Sequence, residues 1–204
     1  MTTVLLVRHG VTQNAEGCAL GWTDRSLAAE GRARITELAA TWSGPPPSRC
    51  WVSDLARTRE TAALLATHWP TIVESEPRLR EMHFGEWDGR TWSELESVDG
   101  ERLAAWMADW SSGRTPGGEG WPDLVARVEE WCVELRAGAE VGSGPLLVVG
   151  HAGSIRAMLG VLLDLPVAAL FKLRIERGAV TELALGGRGT ELVGLNLPAF
   201  PAGA

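Results

Sequence analysis

Arginine and histidine recur in this chain where apolar runs end. Val4-Leu5-Leu6-Val7 is followed by Arg8-His9-Gly10, and Leu146-Leu147-Val148-Val149 by Gly150-His151-Ala152-Gly153. A third run, Cys50-Trp51-Val52-Ser53, leads into Asp54-Leu55-Ala56-Arg57. Guanidinium groups are planar, permanently charged donors that match phosphate oxygens. An imidazole whose attacking nitrogen is unprotonated can act as a nucleophile, and Arg8 and Arg57 nearby would lower the pKa of His9 in that direction. A helix opening after His151 adds unpaired amide donors of the right polarity for an anion. Transfer of a phosphoryl group to an imidazole also needs a proton for the departing oxygen. Glu81, at the start of a tryptophan-rich stretch that would keep it partly desolvated and protonated, is the candidate donor. Glu86 and Asp88 flank Trp87 and read instead as a solvated turn.

These side chains need a frame. The apolar runs at Val4, Cys50 and Leu146 have strand length, and Thr71-Ile72-Val73-Glu74 alternates as a short strand near a sheet edge. Helices are predicted from about Ala29 to Trp42, with Ile35, Leu38 and Ala39 on one face, and from about Ala56 to His68. Two more are predicted from about Pro122 to Ala137 and from about Ser154 to Leu163. Gly178–Leu185 and Glu191–Leu195 read as a closing hairpin. The alternation of strand and helix predicts an α/β fold: a three-layer sandwich with a mostly parallel sheet and helices on both faces. In such sheets ligands bind beyond the carboxyl ends of the strands, which is where Arg8, His9 and His151 fall. The stretch from about 79 to 120 carries Trp87, Trp92, Trp106 and Trp110 among glycines and is expected to form a helical insertion, a lid over the site. Most of the ten tryptophans should simply pack the insertion and core. The tail, 198–204, is expected to be flexible.

The 204 residues suit a single domain, 1–204, with one substantial core. A net charge of −7 argues against nucleic acid or an anionic membrane as partner, so a site for an anion must be a local concentration of arginine. No apolar stretch reaches membrane-spanning length, and no signal peptide is read at the start. Three scattered cysteines give neither a disulfide framework nor metal-ligand spacing, and a cytoplasmic protein is expected.

Taken together these stretches resemble the histidine phosphatase superfamily, the clan of cofactor-dependent phosphoglycerate mutases and related phosphatases. The resemblance covers nearly the whole chain. It rests on Arg8-His9-Gly10 with Thr12, on Gly21-Trp22-Thr23-Asp24, on Ser53-Asp54-Leu55-Ala56-Arg57 before Thr61-Ala62, on Leu79-Arg80-Glu81 before Phe84-Gly85-Glu86-Trp87-Asp88-Gly89, and on Gly150-His151-Ala152-Gly153. It implies that His9 becomes phosphorylated, that Arg8, Arg57 and His151 hold the phosphate, with Asn14 and Thr23 as further ligands, and that Glu81 is proton donor and later base. Trp22, Trp87 and His83 are expected around the leaving group. No metal or cofactor is implied. The chain departs from the family in three places: only Gln13 separates Thr12 from Asn14, Val11 replaces a common glutamate, and Ala28 replaces a helix-capping threonine, which leaves Ser26 or Asp24 to take over the cap.

Within the clan, the short insertion favours a phosphatase over a mutase, and intact catalytic positions rank a non-catalytic regulator last. Trp106-Met107-Ala108-Asp109-Trp110 and Leu165–Ile175 look like the α-ribazole phosphatases of cobalamin assembly. The expected partner is a small phosphomonoester, with a phosphoglycerate mutase or another small sugar or acid phosphatase as the alternative. A homodimer is one assembly state this reading admits.

Overall fold

Four consecutive buried residues, Val4 to Val7, make β1 (Thr2–Arg8) the middle of a six-stranded sheet. The protein is described from a computed structural model covering residues 1–69, 71–138, 144–187 and 189–202. Strand β1 pairs in parallel with β4 (Leu146–Gly150) and antiparallel with β5 (Val180–Gly186). Outward from β4 come β2 (Arg49–Val52) and β3 (Val73–Ser75), both parallel, and β6 (Gly189–Leu197) pairs antiparallel with β5. The order is therefore β3-β2-β4-β1-β5-β6. The mostly parallel sheet expected from the alternation is present, closed at one side by the hairpin.

Side chains alternate across a strand, so a strand buried on both faces must be apolar throughout. Leu5 and Val7 of β1 join Leu147 and Val149 of β4 in one cluster, with Ile35 and Leu38 of α1 (Ala29–Ala40) and Ala62 and Leu65 of α2 (Ala56–Leu65). Val4, Leu6, Leu146 and Val148 face the other way. They pack on Leu124 and Val128 of α4 (Trp121–Gly138) and on Ile155 and Leu159 of α5 (Ala152–Leu163). This is the three-layer sandwich. Between β3 and α4 lies the insertion, built on α3 (Trp92–Ala108), with a small core of Ala19, Trp87, Leu95 and Leu103. A capping box at Thr91 and Glu94 starts α3, and Asp99 kinks it, with its carboxylate accepting from the Trp87 indole at 2.7 Å. Among the described residues no helix is long and apolar enough to cross a membrane.

Three local expectations are corrected. The helix after His151 begins at Ala152, two residues early, because the Ser154 hydroxyl reaches back to the His151 N–H at 3.0 Å and closes the first turn. Neither Ser26 nor Asp24 replaces the missing cap at Ala28. Asp24 instead accepts from the Ala56 N–H at the start of α2. The tail is anchored, not free: Phe200 is buried against Trp42 and Trp69, and its N–H donates to Thr41 Oγ1 at 2.9 Å. The last two tail residues, 203 and 204, lie outside the described residues.

Because Phe200 fills a site shared by two tryptophans, Phe200→Ala should cost about 3 kcal/mol, with Tm down by roughly 10 °C. Urea unfolding at unchanged slope reads this directly. A loss under about 0.5 kcal/mol would return the tail to the status of a dispensable end.

Candidate active site

Strands β1, β4 and β2 end at one level, and that is what assembles the site. The parallel register pairs Arg8 with Gly150 and Val52 with Val149, so the next residues, His9, His151 and Ser53, emerge side by side. The ladder runs on for one more bond, His9 N–H to the Gly150 carbonyl at 3.1 Å, and the imidazole rings of His9 and His151 meet edge-on with centroids 5.1 Å apart. Gly10 then turns the chain across α1. A Cβ at Gly10 would lie 2.8 Å from the Gly31 carbonyl, so the glycine admits the helix backbone here.

Each imidazole has one tautomer by elimination. His9 Nδ1 lies 2.7 Å from the Gly10 carbonyl, an oxygen that only accepts, so Nδ1 carries the proton and Nε2 keeps its lone pair. His151 Nδ1 accepts from Arg57 Nε at 3.2 Å, which leaves the proton on Nε2, 2.9 Å from Ser53 Oγ. Both rings are held well below the ordinary imidazole pKa of 6.5. Burial is the largest cause for each, and Arg57 the next. The charges of Arg8 and Arg57 act in the expected direction on His9, but desolvation outweighs them.

The arginines are pre-set by backbone carbonyls. Arg57, fully buried on α2, donates to the carbonyls of Gly21 and Thr23 as well as to His151, which leaves two of its five N–H groups for a ligand. The loop carrying those carbonyls is clamped by Asp88, whose carboxylate accepts from the N–H groups of Gly21, Trp22 and Thr23 at 2.6 to 3.1 Å. Asp88 is thus a brace rather than part of a solvated turn, whereas Glu86 pairs with Arg102 on the surface. Arg8 donates to the Ile175 carbonyl and keeps a buried Nε with no hydrogen-bond partner among the described residues. Burial and the nearby Arg177 lower its pKa to about 10, so it stays cationic at neutral pH.

Glu81 faces this cationic cluster from the insertion. Its carboxylate accepts from the Met82 N–H at 2.9 Å and the Gly153 N–H at 3.0 Å, one bond per oxygen. A Cβ on Gly153 would collide with Glu81 Oε1, so only glycine leaves room for the acid at the start of α5. The amide expected to face the phosphate from this helix end therefore holds the Glu81 carboxylate instead.

Above His9 opens a cavity of about 430 Å³. Its charged lining is Arg8, Glu81, Arg156 and Arg177, and its aromatic lining is Phe84, Trp92, Trp106, Trp110, Trp121 and Phe171. Arg8, His9 and Glu81 line this cavity, while Arg57 and His151, both fully buried, stand behind it, joined to each other by a hydrogen bond and to His9 by the ring contact. Asn14 is not among them: it is exposed, adopts φ 47°, and uses its carbonyl to hold Arg25. Thr23 contributes its carbonyl to Arg57 and lies outside the cavity. Trp87 is 1% exposed within the insertion core, and so is no wall for a ligand. Trp22 and His83 meet at a tilt, ring centroids 4.6 Å apart, outside the cavity, where the Trp22 indole N–H donates to the Glu81 carbonyl. Arg156 and Arg177 were missed. Arg156 follows the His151 motif along α5 and was open to notice, but Arg177 is a loop residue with no local signal.

The profile of the histidine phosphatase superfamily (branch 1) matches residues 4–198. An adenosylcobalamin/alpha-ribazole phosphatase of Salmonella typhimurium is 33% identical over 174 residues, covering 85% of each chain. A glucosyl-3-phosphoglycerate phosphatase of Mycobacterium tuberculosis is 34% identical over 173 residues, covering 81% of this chain and 77% of that one. The crystal structure of the alpha-ribazole phosphatase from Shigella flexneri superposes with a TM-score of 0.92 over the whole of both chains at 26% identity.

With both imidazoles held neutral, the unfolded chain binds protons that the folded chain does not. Stability is fully present above pH 6.5, the unfolded value, and falls as pH drops below it. The slope is up to about 1.4 kcal/mol per pH unit for each histidine. Urea titrations above and below this value, on the wild type and His9→Gln, check it. The variant should retain about half the slope, and an unchanged slope would mean that His9 is not held neutral.

Proposed function

The chain belongs to the histidine phosphatase superfamily, and from that premise we propose that this phosphatase hydrolyses a small phosphomonoester through a phosphohistidine at His9, with Glu81 as proton donor. The observation that carries the proposal is the His9 tautomer. With Nδ1–H tied to the Gly10 carbonyl, the lone pair of Nε2 is free at the base of a cavity ringed by arginine. In the first step that lone pair attacks phosphorus, the bond from phosphorus to the ester oxygen breaks, and Glu81 gives a proton to the leaving oxygen. In the second, water attacks the phosphohistidine and gives its proton to Glu81, and the electron pair of the P–N bond returns to Nε2. Arg8, Arg57 and the further cation Arg156 neutralise the phosphoryl oxygens throughout.

The substrate we propose carries a flat, nucleoside-like leaving group, as α-ribazole 5′-phosphate does. Supporting this are the six aromatic rings on the cavity wall, since a stacked base gains ~1–3 kcal/mol per aromatic contact. The names of the Salmonella and Shigella relatives support the same substrate. One observation favours a second reading, an acid-bearing sugar phosphate: Arg177 lines the cavity mouth and has no hydrogen-bond or ion-pair partner among the described residues. A second anion on the substrate would meet it there.

Glu81→Gln should lower turnover of an alkyl phosphate by about 10²-fold or more, and much less for p-nitrophenyl phosphate, whose leaving group hardly needs a proton. Equal losses on both would count against Glu81. His9→Ala should abolish turnover, and mass spectrometry of the trapped wild-type intermediate should locate the phosphoryl group on His9; label on His151 reverses the roles. Measured side by side, kcat/KM should be higher for α-ribazole 5′-phosphate than for 3-phosphoglycerate or glucosyl-3-phosphoglycerate. The opposite order, abolished by Arg177→Ala, establishes the second reading.

A further inference from the structure

Glu81 sits in a segment with little regular structure of its own. Only single 3-10 turns, Pro77–Leu79 and Gly85–Trp87, flank it, so no ladder or helix fixes its backbone. Carbonyl groups in such a stretch must find donors elsewhere. Three of them, at Arg78, Arg80 and Glu81, meet one side chain, Arg127, in the second turn of α4, and the Glu81 carbonyl also accepts from the Trp22 indole N–H. Its Nη1 donates to the carbonyls of Arg78 at 2.6 Å and Arg80 at 2.8 Å, and its Nη2 to the carbonyl of Glu81 at 2.9 Å. The remaining N–H groups go to Glu119, Nε to Oε1 and Nη2 to Oε2, both at 2.9 Å. All five donors are used. Glu119 in turn accepts from the His83 N–H at 2.9 Å and gives its own N–H to the His83 carbonyl at 2.8 Å. One ion pair, both of whose side chains are about five-sixths buried, therefore bonds the acid-bearing segment at residues 78, 80, 81 and 83, alongside the Trp22 bond to the Glu81 carbonyl and the Arg80–Asp54 pair.

The fork matters because the other end of Glu81 is equally constrained. The carboxylate must clear Gly153 while accepting its N–H, in a space that one added carbon would fill. Moving the backbone of 80–82 relative to α5 breaks that fit. We infer that Arg127, with Glu119, is the positioning residue of the proton donor: it touches no substrate, and it sets where the Glu81 carboxylate stands over His9. The inference rests on the proposed role of Glu81. A planar fork is needed for it, since a lysine ammonium has three donors in another geometry and cannot reach three carbonyls and a bidentate carboxylate together.

The prediction is a leaving-group-dependent loss that a merely stabilising residue would not produce. Arg127→Met should lower kcat on an alkyl phosphomonoester by about 10²-fold, with KM little changed, since a displacement of about 1 Å has that cost. On p-nitrophenyl phosphate it should lose less than about 5-fold, because that ester bypasses the acid. Arg127→Lys should recover only part of the loss. In a Glu81→Gln background, Arg127→Met should add nothing on the alkyl ester. Should Arg127→Met fail to fold by circular dichroism, Glu119→Gln, which keeps shape and packing, decides with the same two esters. Equal losses on both esters, or additive losses in the double variant, overturn the inference. If Glu81→Gln itself shows no leaving-group dependence, the role of Glu81 is what fails.

Discussion

The structure depends on the register between β1 and β4. Pairing Arg8 with Gly150 does two things at once. It sorts Val4, Leu6, Leu146 and Val148 to one helical layer and Leu5, Val7, Leu147 and Val149 to the other. It also delivers two imidazoles to adjacent positions at the sheet end, 5.1 Å apart. A slip of one residue would send each apolar side chain to the opposite face. Both layers would then lose their complementary surfaces, and the two histidines would separate. Core packing and the catalytic spacing are thus a single constraint.

Once the strand ends are aligned, burial sets the chemistry. An acidic chain has formed a cationic hollow by withdrawing Arg8, Arg57 and Arg156 from water, and burial is the largest influence on each. The guanidiniums are oriented through carbonyls of loops that are themselves braced, as Asp88 braces the loop whose carbonyls hold Arg57. Partners of this kind cancel no charge. They fix geometry while leaving the positive potential to the ligand, and donors fixed beforehand need little reorganisation when phosphate charge develops. Glu81 is the one acidic group in this wall, and it is held by two backbone N–H groups instead of by an arginine side chain.

The tryptophans divide between structure and recognition according to what their indole N–H and ring faces meet. Trp87 gives its N–H to Asp99 and disappears into the insertion core. Trp22 gives its N–H to the Glu81 carbonyl and carries the Arg80 guanidinium on its face at 4.4 Å, so it steadies the acid from outside the cavity. Trp92, Trp106, Trp110 and Trp121 turn part of their surface to the cavity, with Phe171 closing over Trp110 at 3.8 Å. The aromatic wall of the cavity therefore comes from the insertion, α4 and the loop before β5, while the two histidines stand at the end of the sheet.

By itself the sequence determined the sheet, the layers and the chemical centre. The reason is that strands buried on both faces must be written as unbroken apolar runs, and polar residues placed directly after them can only emerge at the sheet end. Arg8, His9 and His151 were legible on that ground, Arg57 from its place just after a third apolar run, and Glu81 from the tryptophan-rich stretch it opens. Only the tertiary structure decided which other side chains line the cavity. Asn14, although close in sequence to His9, is turned outward by a positive φ and by Arg25. Arg177 lines the cavity together with residues of the insertion and α5, and Arg127 meets carbonyls 46 to 49 residues earlier in the chain. Such contacts follow from how α4, the insertion and the loop before β5 pack together. No periodicity within any one segment records that packing, since the partner surfaces lie far apart in the chain.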